Sequence, residues 1–257
     1  MNTILETPSH PLSNSDPNWL IERRSKGIEQ FEKLATPTVR DENWRFSRVS
    51  KMSTEGYSQL KEADISRFDA LNKRSNLVSQ SAGRTVFIDD TISIFEGVSN
   101  ELAEKGVIFL PILESIRKHP DLMEKYFLKE STELGSQKFF GLHASAVKAG
   151  SVIYVPKGVE VVEPIVNYYW TSSERVSVYP HTLIIAEDNA KLSVVDLFFS
   201  DSKDNDALNV SVCNIYAGIG AKVFRKVVQN WNQETISFQL DTTVAERDAQ
   251  VKNIAIN

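Results

Sequence analysis

The sequence predicts a mainly β chain with an α-rich N-terminal part: a solenoid of stacked coils, a β-helix, preceded by a small helical and mixed domain. Three observations carry this. Helical spacing of apolar residues is confined to the first half, and from about residue 137 β-branched and aromatic alternation takes over to the end. The segments AEDNAKL (186–192), AGIGAKV (217–223) and AERDAQV (245–251) align without gaps, recurring after 31 and then 28 residues. Each is followed by a strand-like run, the last being Val251-Lys252-Asn253-Ile254. Units repeating at this interval cannot bury an apolar face alone and must stack on their neighbours.

Taken in order, residues 1–18 are polar and proline-rich and read as a flexible arm. A helix follows, with Asp16 as its expected cap, Pro17 in the first turn, and Ile28, Phe31 and Leu34 at helical spacing. It stops near Pro37. Residues 38–85 carry Trp44, Phe46, Tyr57, Leu60 and Phe68 without a clear period and read as irregular. TVFIDD (85–90) reads as a short strand. In PILESIRKHPDLMEKYFLK (111–129), Ile112, Leu113 and Ile116 share one side, and Pro120 starts a second helix with Leu122, Met123, Tyr126 and Phe127. The domains expected are therefore 1–18 (arm), 19–136 (N-terminal) and 137–257 (β-helix).

Within the repeat, Gly, Asn and Asp supply a tight turn, and the alanine beside it is small enough for coils to pack closely. VPKGVEV (155–161) is a looser fourth copy, aligned with Gly158 lying 32 residues before Ala190. Leu192, Val223 and Val251 stack as one row and Leu197, Val228 and Ile256 as another. The rows are five residues apart, so a straight strand would place them on opposite faces, and a bend turning both inward is expected. The competing architecture is a β-sandwich whose hairpins share turn residues.

A hydrophobic content of 41% and a charged content of 25% are those of a globular chain. The net charge of −5, without a basic stripe, argues against a nucleic-acid partner. No apolar run approaches the ~20 residues that cross a bilayer, and the first residues lack the basic and apolar regions of a secretory signal. The single cysteine, Cys213, excludes an intramolecular disulfide framework and fits a reducing compartment, so the cytoplasm is expected.

No residue is assigned as catalytic, cofactor-binding or metal-ligating. His10, His119, His143 and His181 are far apart and form no ligand pair at helix or strand spacing. Cys213, in NVSVCNIY, reads as a buried, inert thiol. Gly218 and Gly220 lack the rest of a phosphate loop. Glu160, Glu163 and Asp196 are scattered rather than paired. DENWRF (41–46) reads as a Trp/Arg anchor held by cation–π contacts.

DENWRF, GVIFLPILESIRKHPDLMEKYF (106–127), KFFGLHASAVKAGSVIYVPKGVEVVEPI (138–165) and PHTLIIAEDNAKLSVVD (180–196) together resemble the SUF-system iron–sulfur scaffold family, SufB/SufD, over roughly residues 36–257. The arginine–tryptophan element resembles the SufD branch more than SufB. The resemblance implies a right-handed parallel β-helix between two helical domains. It also implies a non-catalytic scaffold working with a SufB-like partner scaffold and a SufC-like ABC-type ATPase, and no cofactor on this chain alone. The family continues with further coils that carry the scaffold–scaffold interface and a helical domain that docks the ATPase. The family's histidine and cysteine positions associated with cluster assembly lie in that later part, so none is carried over. A chain stopping partway through a β-helix is the expectation, with self-association through its open C-terminal coil and no membrane partner. The other readings are a β-helix enzyme acting on carbohydrate and an inactive fragment or interaction module.

Overall fold

The computed structural model describes residues 16–47, 54–61, 63–129 and 135–257. Residues 1–15, with most of the expected arm and His10, lie outside the described residues. Helix α1 (Asn18–Lys33) starts after Pro17 and buries Leu20, Arg24, Gly27 and Phe31 along one stripe. That stripe replaces the Ile28–Leu34 face expected from spacing, because Gly27 lies directly against Gly141 and admits no Cβ between the two backbones. Asp16 does not cap the helix; its carboxylate stands 3.8 Å from the Arg24 guanidinium instead. Arg24 is buried and donates to Ser145 O (3.3 Å) and Val147 O (2.9 Å), carbonyls at the far end of a later helix.

The stretch expected to be irregular holds a helix, α2 (Phe68–Arg74), whose one buried side chain is Leu71. Strand β1 (Gly83–Ile88) falls where TVFIDD predicts it and turns through Asp89 and Asp90 into β2 (Thr91–Glu96). Next come α3 (Asn100–Glu104), β3 (Ile108–Pro111), α4 (Ile112–Lys118) and α5 (Pro120–Tyr126). Ile112 and Ile116 are buried as expected, but Leu113 points to solvent. The change of character expected at residue 137 arrives at residue 150, because α6 (Gln137–Ala146) intervenes. Phe139 to Ala146 are all buried, so this helix has no polar face to give it a period.

Nine strands follow: β4 (Gly150–Val155), β5 (Ile165–Thr171), β6 (Val176–Val178), β7 (His181–Ala186), β8 (Lys191–Ser200), β9 (Ala207–Ala217), β10 (Lys222–Asn230), β11 (Thr235–Ala245) and β12 (Gln250–Ile256). Apart from β6 and β7, which fall in the same sheet, they alternate between two sheets and make a parallel β-solenoid of roughly three turns. One sheet runs β11-β9-β7-β4-β3 and the other β12-β10-β8-β5-β1-β2, with β6 paired to β9. The antiparallel strand β3 covers β4, and β1 extends the stack parallel to β5. The N-terminal region thus shares both sheets with the coils.

The repeat sets the register. Ala186, Ala217 and Ala245 pair across strands, as do Lys191, Lys222 and Gln250. At the turn between the sheets, Gly158, Asn189, Gly220 and Asp248 adopt the left-handed conformation with φ of 71°, 57°, 67° and 60°. Gly158 N–H donates to Asp188 O (2.8 Å), Asn189 N–H to Ile219 O (2.8 Å) and Gly220 N–H to Arg247 O (3.0 Å), each bond tying one coil to the next. Gly158 therefore stands over Asn189 and Val155 pairs with Ala186, so VPKGVEV (155–161) keeps the register of the other copies.

The expected inward bend does not occur. Leu192 and Val223 face the interior with Ile165, Ile184 and Val194, whereas Leu197 lies outside with Val86, Tyr168 and Trp170, near Leu71 of α2. The strands run straight, and the outer row has its own cover. On the other sheet's outer face, Leu183, Val210, Val212 and Phe238 pack against α1, α4, α5 and α6.

Asn189 tests the turn. Asn189→Val is expected to destabilise the chain by about 1–2 kcal/mol in urea denaturation, the cost of forcing a β-branched residue into the left-handed region, while Asn189→Gly is close to neutral. Equal costs for the two would place the residue's role elsewhere.

Candidate functional site: a polar column inside the coils

Sheet alternation sends every second residue into the coil interior, and among the inward residues are several that are polar. Thr85 of β1 donates from its hydroxyl to Asn167 Oδ1 of β5 (2.7 Å), and Asn167 Nδ2 donates to Asp196 Oδ1 of β8 (2.8 Å). Thr182 of β7 reaches the same oxygen at 3.2 Å and contacts the Tyr169 hydroxyl at 3.2 Å. Arg225 of β10 donates to Asp196 Oδ2 (2.6 Å) and to Asp241 Oδ1 of β11 (3.0 Å). Asp241 Oδ2 accepts from Gln239 (2.8 Å) and Asn253 (2.9 Å). The column thus crosses the stack from β1 to β12, the edge strand.

Thr85, Asn167 and Asp196 are fully buried and Arg225 is nearly so. Burial opposes the charge on Arg225, but the Asp196 and Asp241 carboxylates more than offset it and hold the guanidinium above its ordinary pKa. A buried cation and carboxylate of this kind each depend on the other, since loss of either partner leaves an uncompensated charge in a dry interior. Arg225→Met is expected to cost about 3–5 kcal/mol in urea denaturation, and adding Asp196→Asn to recover part of it. A cost under about 1 kcal/mol for the single variant would contradict the pairing.

Cys213 is buried between Thr182 and Asp241 in cross-strand register, as expected of an inert thiol. Burial pushes it well above its ordinary value, so it stays protonated. Glu160 pairs with Lys191 (2.9 Å) at the surface, and Gly218 and Gly220 belong to the coil turn. Among the described residues, no group of three or more His, Cys, Asp and Glu side chains could hold a metal ion.

Two residues judged unrelated in the sequence meet in space. His143 of α6 and His181 of β7 are fully buried and joined at 3.0 Å (Nε2 to Nδ1) on the outer face of the sheet. The Val210 carbonyl, 2.8 Å from His143 Nδ1, can only accept, so His143 carries its proton there and His181 Nδ1–H donates to His143 Nε2. Nothing in the sequence spacing signals this pair, which only the docking of α6 on β7 and β9 creates. His119 sits where α4 meets α5.

Burial holds the His143 pKa down to about 3, and burial together with His143 holds His181 well below its ordinary value. Below pH 6.5 the unfolded chain binds protons that the folded chain refuses, so stability is intact above that value and falls as pH drops towards 3. At pH 5 His143 is expected to cost about 2 kcal/mol, and His181 acts in the same direction. Asp90 acts in the opposite sense: burial pushes it up to about 6, so its contribution is present below 3.8 and lost as pH rises through 6. Asp90 is common to the wild type and a His143→Gln/His181→Met variant, so its effect cancels in their comparison. The variant's urea midpoint is expected to fall less between pH 7 and pH 5; identical falls would contradict the assignment.

DENWRF is an anchor of a different construction from the one expected. Trp44 packs on Phe139 of α6 (5.5 Å) and Phe238 of β11 (6.3 Å), and no cation among the described residues lies over its ring. The cation–π contact is between Arg45 and Phe46 (4.5 Å), with Phe46 itself 88% exposed.

Residues 4–166 match the family model described as the SufBD protein N-terminal region, and residues 169–257 match the SufBD core domain of SUF-system FeS cluster assembly. The chain is 31% identical over 222 residues to the iron–sulfur cluster assembly protein SufD of Bacillus subtilis, an alignment covering 84% of this chain and 50% of that protein. An iron–sulfur cluster assembly SufBD family protein of Pyrococcus horikoshii is 27% identical over 266 residues, covering 99% of this chain and 59% of the relative. A chloroplastic SufBD family protein of Arabidopsis thaliana is 28% identical over 229 residues, covering 84% and 41%. The chain thus spans about half the length of the curated relatives it matches.

Proposed function

The chain belongs to the SufBD family, and from that premise we propose that it is a SufD-like, non-catalytic scaffold of SUF iron–sulfur cluster assembly. The observation that carries the reading is the match of both SufBD regions in order along a chain whose coils stack as one parallel solenoid. A scaffold needs a rigid body that presents surfaces, and in-register coils with a satisfied polar column supply one. The reading assigns the cluster to the assembly as cargo and no resident cofactor to these residues. It places the work in the cytoplasm; no helix of the described residues is long and apolar enough to cross a membrane.

The partners in this reading are a SufB-like scaffold and a SufC-like ATPase. The family layout puts ATPase docking in a C-terminal helical domain, outside residues 1–257. A pull-down of this chain against the ATPase and partner scaffold of the same organism, with visible absorbance recorded, is expected to leave the ATPase out of the eluate. Recovery of the ATPase with a brown chromophore would place a docking surface within residues 1–257 and overturn that layout.

Strands β11 and β12 are the edges of their sheets. Unpaired edge N–H and C=O groups template pairing with another chain. The isolated chain is therefore expected to self-associate with rising concentration in sedimentation velocity, and Ala255→Pro, which removes an amide from β12, to reduce this. A strictly monomeric chain at high concentration would contradict the edge's role.

A further inference from the structure

The outer face of the β12-β10-β8-β5-β1-β2 sheet is divided. The part of β1, β5 and β8 nearest α2 lies beneath that helix, with Leu71 near Tyr168, Trp170, Leu197 and Phe199. The first residues of β8 and β10, together with β12, carry a groove of about 480 Å³ walled by Val162, Lys191, Lys222, Phe224, Lys252 and Ile254. Register aligns the outward residues in rows across the strands: Lys191–Lys222–Gln250, then Ser193–Phe224–Lys252, then Val195–Lys226–Ile254. Neighbouring strands are ~4.8 Å apart, so the rows form a ladder of ammonium groups around an apolar floor.

The charge on this face runs against that of the molecule. Lys191, Lys222 and Lys252 line the groove with Glu160 as the one carboxylate of its lining, and Lys226 stands in the next outward row, although the chain's net charge is −5. Lys191 is engaged by Glu160 and Lys226 lies over the Phe224 ring at 5.1 Å. Among the described residues, neither Lys222 nor Lys252 pairs with a carboxylate. The apolar members are open to water: Val162 is 78% exposed and Ile254 47%. Exposed apolar side chains gathered in one groove and rimmed by a single sign of charge mark a surface that a partner covers.

We propose that this groove docks an acidic, amphipathic polypeptide segment, with carboxylates on Lys222 and Lys252 and an apolar side chain seated against Phe224, Val162 and Ile254. The apolar floor distinguishes the occupant from a polyphosphate backbone, which needs charge throughout its length. Lysine supplies point charges on flexible stems, which suits carboxylates presented at adaptable positions along a peptide.

The test uses the full chain and a fluorescein-labelled synthetic peptide of alternating glutamate and leucine, followed by fluorescence anisotropy at 0.15 M salt. An all-glutamate peptide and vesicles of anionic phospholipid are run beside it. Saturable binding of the alternating peptide is expected, weakened at least about tenfold by Lys222→Glu/Lys252→Glu and retained by Lys222→Arg/Lys252→Arg. Both pairs are solvent-facing, so circular dichroism should show the fold unchanged; a charge-reversal pair at Lys33 and Lys203 is expected to leave binding intact. No saturable binding, equal affinity for the all-glutamate peptide, insensitivity to the Lys222/Lys252 reversal, or preference for the vesicles would each overturn the proposal.

Discussion

Four residues in the left-handed conformation, Gly158, Asn189, Gly220 and Asp248, stand one above another at the turn between the two sheets, and the stack depends on their alignment. The backbone N–H of each of the first three donates to a carbonyl of the next coil, so the turn ties the coils together as well as reversing the chain. A strand slipped by one residue would send its inward residues out. Here that slip would expose Leu192 and Val194 and strand Asp196 away from Arg225. The turn ladder and the buried ion pair therefore enforce the same register from two sides of the coil.

From this register the rest of the interior follows. Phe87, Tyr169 and Phe198 stack at 5.5 and 4.9 Å because their strands pair residue for residue. On the outer face the same alignment stacks Trp170 on Phe199 at 4.7 Å, where Arg74 of α2 covers the indole. The helices on the other sheet are locked by polar contacts that span long stretches of sequence: Arg24 to the carbonyls ending α6, and His143 to His181. The helical part and the coils thus form one packed structure.

Much of this was legible in the sequence, and for a physical reason. A repeated turn needs the same small or left-handed-tolerant residues at the same offset, so Asn189, Gly220 and Asp248 advertise the coils. Pro120 and the TVFIDD strand were legible because their signals are local. The misses are contacts that local signals do not encode. Helix α6 is buried on every side and lost its period; α2 is short and buries one leucine. The straight path that puts Leu197 outside depends on α2 being there to cover it. The candidate site was the least legible part: Asp196, Arg225 and Asp241 come from three different strands, and the histidine pair joins a helix to a strand. The family resemblance rested on the order of blocks along the chain, which survives even where single side-chain contacts are invisible.

Native-state hydrogen exchange, resolved by strand, tests the central claim that coil register is the stabilising unit. The account predicts that amides of β7, β8 and β9 exchange most slowly and together, that β5 and β10 follow, and that β12 exchanges fastest among the coil strands. Slowest exchange in α1 and α6 with the coils opening first, or equal protection in β12 and β8, would contradict it.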